Sequence, residues 1–171
     1  MLLKSLLQLL LPATTLAANT TSKCDGRALP TPSALGVSIL TMSAVDSTLE
    51  STSISFCNVT FTYTHPGQND SILVWLALPK AWNGRFQGVG GGGWATGYPT
   101  QMVPAISQGY AAVSTDGGHD GANQPTADPW ALVSPGNVDL YALQNFASVA
   151  LPALQSAPTF SVPSCVTFMR T

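Results

Sequence analysis

Apolar residues are spaced differently in successive parts of this chain, and each spacing predicts an element. Over residues 53–64, Ile54, Phe56, Val59, Phe61 and Tyr63 stand among polar neighbours, mostly two apart, the period of a half-buried strand. The alternation slips phase between Phe56 and Val59, which predicts a bulge or a strand break there. His65-Pro66-Gly67-Gln68-Asn69-Asp70 has turn composition and leads into Ile72-Leu73-Val74-Trp75-Leu76-Ala77-Leu78, apolar without alternation. Such a run reads as a strand buried on both faces, so the pair predicts an antiparallel hairpin entering a covered sheet. Residues 85–89 form a short strand, 102–108 a short helix broken early by Pro104, and 110–115 the next strand. Strand, helix and strand make a βαβ unit with parallel strands, whose carboxyl ends are where ligands sit. Residues 120–136 read as a polar loop, and 138–151 as a helix with Leu140, Leu143, Phe146, Ala147, Ala150 and Leu151 at helical spacing. Residues 18–52 read as a polar N-terminal arm with one short element near 35–42.

The first of the parallel strands runs into a glycine run. Five of the six residues from 88 to 93 are glycine, with Val89 the exception. Inside a regular element each would cost roughly 0.5–1 kcal/mol relative to alanine, so a folded chain keeps such a run where backbone must approach something closely or φ must be positive. Flexible linkers are Gly/Ser-rich and polar, whereas this run is clamped between Phe86, Val89 and Trp94. It is expected to be a structured, site-forming loop. Asp116-Gly117-Gly118-His119 leaves the same edge after the second parallel strand.

Composition places the chain in a compartment. Residues 1–17 read as a secretory signal peptide: Lys4, an apolar core through Leu11, and Thr15-Leu16-Ala17 at the cleavage point. That apolar run is shorter than the roughly 20 residues of a membrane span. Only 8% of the 171 residues are charged and the net charge is −2, which leaves nucleic-acid binding without an electrostatic footprint. Asn19, Asn58 and Asn69 each head a glycosylation sequon, consistent with a secreted, extracellular glycoprotein. Of Cys24, Cys57 and Cys165, the expected disulfide joins Cys24 to Cys57 and staples the mature N-terminus onto a strand, leaving Cys165 odd.

Three chemistries fit the loops. Gly90, Gly91, Gly92 and Gly93 suit an oxyanion loop of the α/β-hydrolase type, where side chains would block the approach to backbone N–H groups. The same run satisfies G-x-G-x-x-G with Asp116 after the next strand, a dinucleotide pattern, but Pro99 and Pro104 spoil the helix that should hold the pyrophosphate. A secreted glycan- or phenolic-binding module is the third reading, with Trp82, Trp94 and Trp130 as stacking surfaces and Trp75 in the core. Asp116 and His119 are a candidate acid–base pair, or Asp116 caps its turn by bonding backbone N–H groups. His65 reads as a surface turn residue. No metal site is expected from two distant histidines.

Trp82-Asn83-Gly84-Arg85-Phe86, the run through Trp94, Gly109-Tyr110-Ala111, Ser114-Thr115-Asp116-Gly117-Gly118-His119 and Leu143-Gln144-Asn145-Phe146-Ala147-Ser148 together resemble the tannase and feruloyl esterase family over roughly residues 24–150. The resemblance implies a secreted α/β-hydrolase with a lid, cleaving phenolic-acid esters of ferulate or gallate type with a Ser-Asp-His triad. In that family the serine lies in a G-C-S-x-G-G elbow and many members hold calcium in the lid. No G-x-S-x-G or G-C-S occurs in this sequence; Ser114 lies in a non-nucleophilic segment. The expectation is therefore an incomplete α/β-hydrolase fold: a signal peptide at 1–17, an arm at 18–52, a partial domain at 53–151 and an atypical tail at 152–171. Lid, triad and any calcium would lie outside it, making it a truncated product inactive alone and without a cofactor, whose Gly90, Gly91, Gly92, Gly93, Asp116 and His119 line an oxyanion and substrate pocket.

Overall fold

The computed structural model describes residues 24–33, 35–120 and 126–149. The expected signal peptide, Asn19, Cys165 and the tail at 152–171 lie outside them. Strand β1 (Ser38–Leu49) pairs antiparallel with β2 (Ile54–Thr64), and β2 with β3 (Ile72–Pro79). Strand β4 (Phe86–Gly88) pairs with β5 (Ala111–Thr115), and the five make one mixed sheet in the order β1-β2-β3-β5-β4.

The expected hairpin is present, but the irregularity is elsewhere. Pairing of β2 with β3 runs unbroken from Phe56↔Pro79 to Tyr63↔Ile72, and the register shift falls in β1 between Ile39 and Thr41. The phase slip has another cause: Cys57, Val59 and Tyr63 belong to the cluster on one face, with Ile72, Val74, Leu76 and Leu78. Phe56 belongs to the other, with Ala77, Ala112, Met102 and Ile106. Counting the half-cystine as apolar restores the alternation, and Phe56 is simply an apolar residue on the second covered face.

The segment expected to be an arm holds β1, a twelve-residue strand rather than a short element near 35–42. Its inner positions Ile39, Met42 and Ala44 pack on the first cluster only partly, while Leu40 and Val45 are exposed. An edge strand rich in Ser and Thr has little apolar signal to distinguish it from an arm. Cys24 is bonded to Cys57, with Cα atoms 5.4 Å apart and a sequence separation of 33. That closure stabilises the fold by roughly 3–4 kcal/mol and pins the N-terminal segment to β2.

Strands β4 and β5 are parallel, with Phe86↔Ala111 and Gly88↔Val113 in register, as the βαβ reading requires. A 3₁₀ turn (Pro99–Met102) and helix α1 (Val103–Ser107) connect them. Pro104 does not break this helix; it occupies the first turn, where its missing N–H has no intrahelical partner to lose. Met102, Ala105 and Ile106 are buried against the second face of the sheet.

The expected polar loop at 120–136 contains helix α2 (Asp128–Ala131) and strand β6 (Leu132–Ser134), which forms a two-stranded ribbon with β7 (Asn137–Val138). Elements of two to four residues are too short to show a period. Helix α3 (Leu140–Gln144) is capped by Asp139, whose Oδ1 accepts from the N–H of Tyr141 and Ala142, and continues as a π-helical turn (Asn145–Val149). Among the described residues no helix is long and apolar enough to cross a membrane.

Candidate functional site

The carboxyl ends of β2, β4 and β5 and the start of β3 lie along one edge of the sheet, as their pairing directions dictate. The glycine loop leaves β4 there. Val89 N–H still bonds Val113 O at 2.9 Å, after which the chain folds back: Gly91 N–H donates to Thr96 O at 2.5 Å and Ala95 N–H to Gly92 O at 3.2 Å. The four glycines have different reasons to be glycine. A Cβ on Gly91 would stand 2.2 Å from Ala95 O, and one on Gly90 3.3 Å from Thr96 O. Gly93 has φ +62°, where L side chains are strained. Gly92 has neither constraint, since a Cβ there would meet nothing within 4 Å. The Gly91 N–H is consumed within the loop, whereas the N–H groups of Gly90, Gly92 and Gly93 donate to no group among the described residues.

The second loop packs directly under the first. Gly97 lies so close to β5 that a Cβ would approach Ser114 Oγ to 2.3 Å. Ser114 is fully buried, which keeps it from acting as a nucleophile. A Cβ on Gly117 would stand 2.5 Å from the Thr96 side chain.

Asp116 serves this turn. Its Oδ1 accepts from Leu73 N–H at 2.9 Å and Gly118 N–H at 2.8 Å. Burial pushes the carboxyl above its ordinary value, partly offset by the Gly118 and Leu73 bonds and by nearby His119. Asp116 and His119 share one edge; Asp116 caps its turn through Leu73 and Gly118, and the two side chains form no hydrogen-bonded pair among the described residues. His119 Nε2 lies 2.6 Å from Trp94 O. A carbonyl only accepts, so Nε2 carries the proton, leaving Nδ1 buried and without a partner among the described residues. The imidazole stacks on Trp130 with centroids 4.0 Å apart. Trp94 and Phe146 complete the aromatic cluster, their rings 5.5 Å apart. Trp130 is buried and Trp94 is 44% exposed. Trp82 and Trp75 pack partly buried on the two core clusters, which leaves Trp94 as the indole beside the glycine loop that is open to a ligand.

Sequence reasoning missed one part of this edge. His65 is no free turn residue: Nδ1 lies 2.6 Å from Asp70 Oδ2. Asp70 also accepts from Thr64 Oγ1 and His65 N–H, both at 2.8 Å, and from Asn145 Nδ2 at 2.9 Å. Burial works against the charge, but the bonds from His65, Asn145 and Thr64 outweigh it and hold the carboxyl at about 2. Burial, then the charges of Asp70 and Asp116, raises the Tyr63 phenol well above its ordinary range. Asn145 thereby ties the end of α3 to the β2–β3 turn across 75 residues, a contact without any local signal in sequence. Among the described residues no three His, Cys, Asp or Glu side chains cluster as metal ligands.

A mixed sheet that releases a glycine loop from a parallel strand, with unbonded N–H groups beside an aromatic cluster, has the build of an α/β-hydrolase-like protein. The comparisons specify it further. The family model described as tannase and feruloyl esterase matches residues 57–158. A probable feruloyl esterase of Arthroderma benhamiae is 47% identical over 100 residues, covering 57% of this chain and 18% of that protein. A tannase of Aspergillus oryzae is 32% identical over 102 residues, covering 58% and 17%. The solved tannin acyl hydrolase from Aspergillus niger superimposes with a TM-score of 0.61 at 32% identity, over 80% of this chain and 28% of that one. Feruloyl esterase B from Aspergillus oryzae shares the fold, with a TM-score of 0.55 at 18% identity over 77% and 28%. This chain belongs to the tannase and feruloyl esterase family. It spans under a fifth of the length of the curated relatives it matches.

Proposed function

We propose that this chain supplies the oxyanion-loop side of a secreted carboxylic ester hydrolase acting on phenolic-acid esters of feruloyl or galloyl type. Gly92 carries the reading. The fold gives reasons for Gly90, Gly91 and Gly93 to lack a side chain, and none for Gly92. A glycine kept where alanine would fit, with its N–H unbonded beside an open tryptophan, suits a loop that must let a reacting carbonyl approach. Backbone N–H groups aimed at a developing oxyanion stabilise it more than the neutral carbonyl, and removing one such donor typically lowers rate 10²–10³-fold. Trp94 would face the phenolic ring, Asp116 would hold the second loop beneath the first, and His119 would fix Trp94 through its carbonyl. The sequence holds no G-x-S-x-G elbow, so the nucleophile, its acid–base partners and the lid are not assigned to these residues, and the chain alone is expected not to turn over esters. The apolar leader at 1–17 supports secretion. The dinucleotide alternative is disfavoured, because five irregular residues separate the last loop glycine from the 3₁₀ turn at Pro99 and no helix opens on the loop.

The test is valine at the position matching Gly92 in the Aspergillus niger tannin acyl hydrolase. Turnover of a phenolic-acid methyl ester is expected to fall at least 10²-fold with an unchanged melting temperature. Undiminished turnover in the folded variant overturns the proposal.

A further inference from the structure

Two of the three sequons lie among the described residues, and the fold treats them differently. Asn58 is half-buried inside β2, in register between Val45 of β1 and Ala77 of β3. The hydroxyl of its sequon is taken: Thr60 Oγ1 lies 2.6 Å from Ser43 Oγ across the β1–β2 pair. An oligosaccharide at Asn58 would have to lie across three strands of the sheet.

Asn69 stands in the β2–β3 turn and is exposed, in the left-handed region with φ 54°, a conformation asparagine adopts more readily than most residues. Ser71, which supplies the sequon hydroxyl, is exposed too. Neither side chain is held by a hydrogen bond among the described residues. The residue between them is the reason. Asp70 turns inward, gripped by Thr64, His65 and Asn145, while Asn69 and Ser71 on either side of it stay exposed. The acceptor amide and the hydroxyl are thus presented side by side on an anchored turn.

We infer that Asn69 is an N-glycosylation site, carrying a hydrated oligosaccharide at the rim of the edge where the two loops meet, while Asn58 stays bare. The donor class is an oligosaccharide on a lipid diphosphate. Asn69 Nδ2 loses one proton and forms a bond to the anomeric carbon; the bond from that carbon to the diphosphate oxygen breaks, and the lipid diphosphate leaves with the electron pair. A chain with 8% charged and 45% hydrophobic residues gains from such a glycan the surface hydration that charges supply elsewhere. The inference needs passage through a secretory lumen and does not depend on the ester-hydrolase reading.

The full chain with its own leader is produced in a eukaryotic secretory host, digested, and mapped by mass spectrometry before and after enzymatic glycan release. The peptide holding Asn69 is expected to carry a hexose-rich glycan and to return with Asp at 69, while the peptide holding Asn58 returns unmodified. Ser71→Ala is expected to abolish the modification and Ser71→Thr to retain it. An unmodified Asn69 in the lumenal chain, a glycan at Asn58, or a chain that never enters the lumen each overturns the inference.

Discussion

Alanine at two adjacent glycines of the loop should have opposite effects on stability. In Gly91→Ala the new Cβ would lie 2.2 Å from Ala95 O and 2.7 Å from its carbonyl carbon, both backbone atoms that cannot swing aside. Relieving such a clash costs about 1–3 kcal/mol, and opening the turn removes the Gly91–Thr96 bond, worth about 1 kcal/mol. The expected loss is therefore about 2–4 kcal/mol. In Gly92→Ala the Cβ meets nothing and φ is not in the positive region. Reduced freedom of the unfolded chain should then stabilise by roughly 0.4–1 kcal/mol. Urea and thermal unfolding of the two variants, followed by circular dichroism, read the difference directly. Gly91→Ala should lower the melting temperature by roughly 5–15 °C while Gly92→Ala leaves it unchanged or slightly raised. Equal shifts, or a Gly92→Ala loss above about 1 kcal/mol, would refute the reasoning that separates a structurally required glycine from one kept for approach.

Further outcomes follow from the carboxylates and the disulfide. The Asp70 carboxyl is depressed to about 2 in the fold, so its contribution is fully present above pH ~4 and disappears as pH falls through the folded value; allowing for solvent screening it amounts to about 1 kcal/mol. Asp70→Asn should flatten the loss of urea stability between pH 5 and about 2. Asp116 has the opposite sign: its raised value means stability declines as pH rises from the ordinary carboxylate value through the folded one. Asp116→Asn keeps the acceptor for Leu73 and Gly118 and should hold or gain stability at pH 7, whereas Asp116→Ala strands two N–H groups and should cost about 2–3 kcal/mol in the same assay. Cys24→Ser should cost roughly 3–4 kcal/mol, and Cys57→Ser more, because Cys57 is only 2% exposed in the core and its replacement buries a hydroxyl; urea midpoints with and without reductant separate the two contributions.

Strong local patterns were legible in the sequence. The unbroken apolar run at β3, the glycines after β4 and the short helix before β5 each announce their element, and their order yields the parallel pair with both loops at one edge. Strand β1 was not legible, because a half-exposed edge rich in Ser and Thr has the composition of an arm. The bulge expected near Phe56 came from leaving Cys57 out of the apolar count. The grip of Asp70 on Asn145 spans 75 residues and has no periodic or motif signature. His119 shows the limit of motif reading at a site: its spacing from Asp116 allowed a dyad, but the Gly117-Gly118 turn bends Asp116 back to Leu73 and carries the imidazole under Trp130 instead.

The most direct measurement is ester hydrolysis by a chimera in which residues 57–147 of this chain replace the matching segment of the Aspergillus niger tannin acyl hydrolase. Turnover of a phenolic-acid methyl ester within about tenfold of the parent, lost on Gly92→Val, is the expected result. A folded chimera without turnover, or one whose turnover ignores valine at 92, would contradict the assignment of this loop to the oxyanion side of the site.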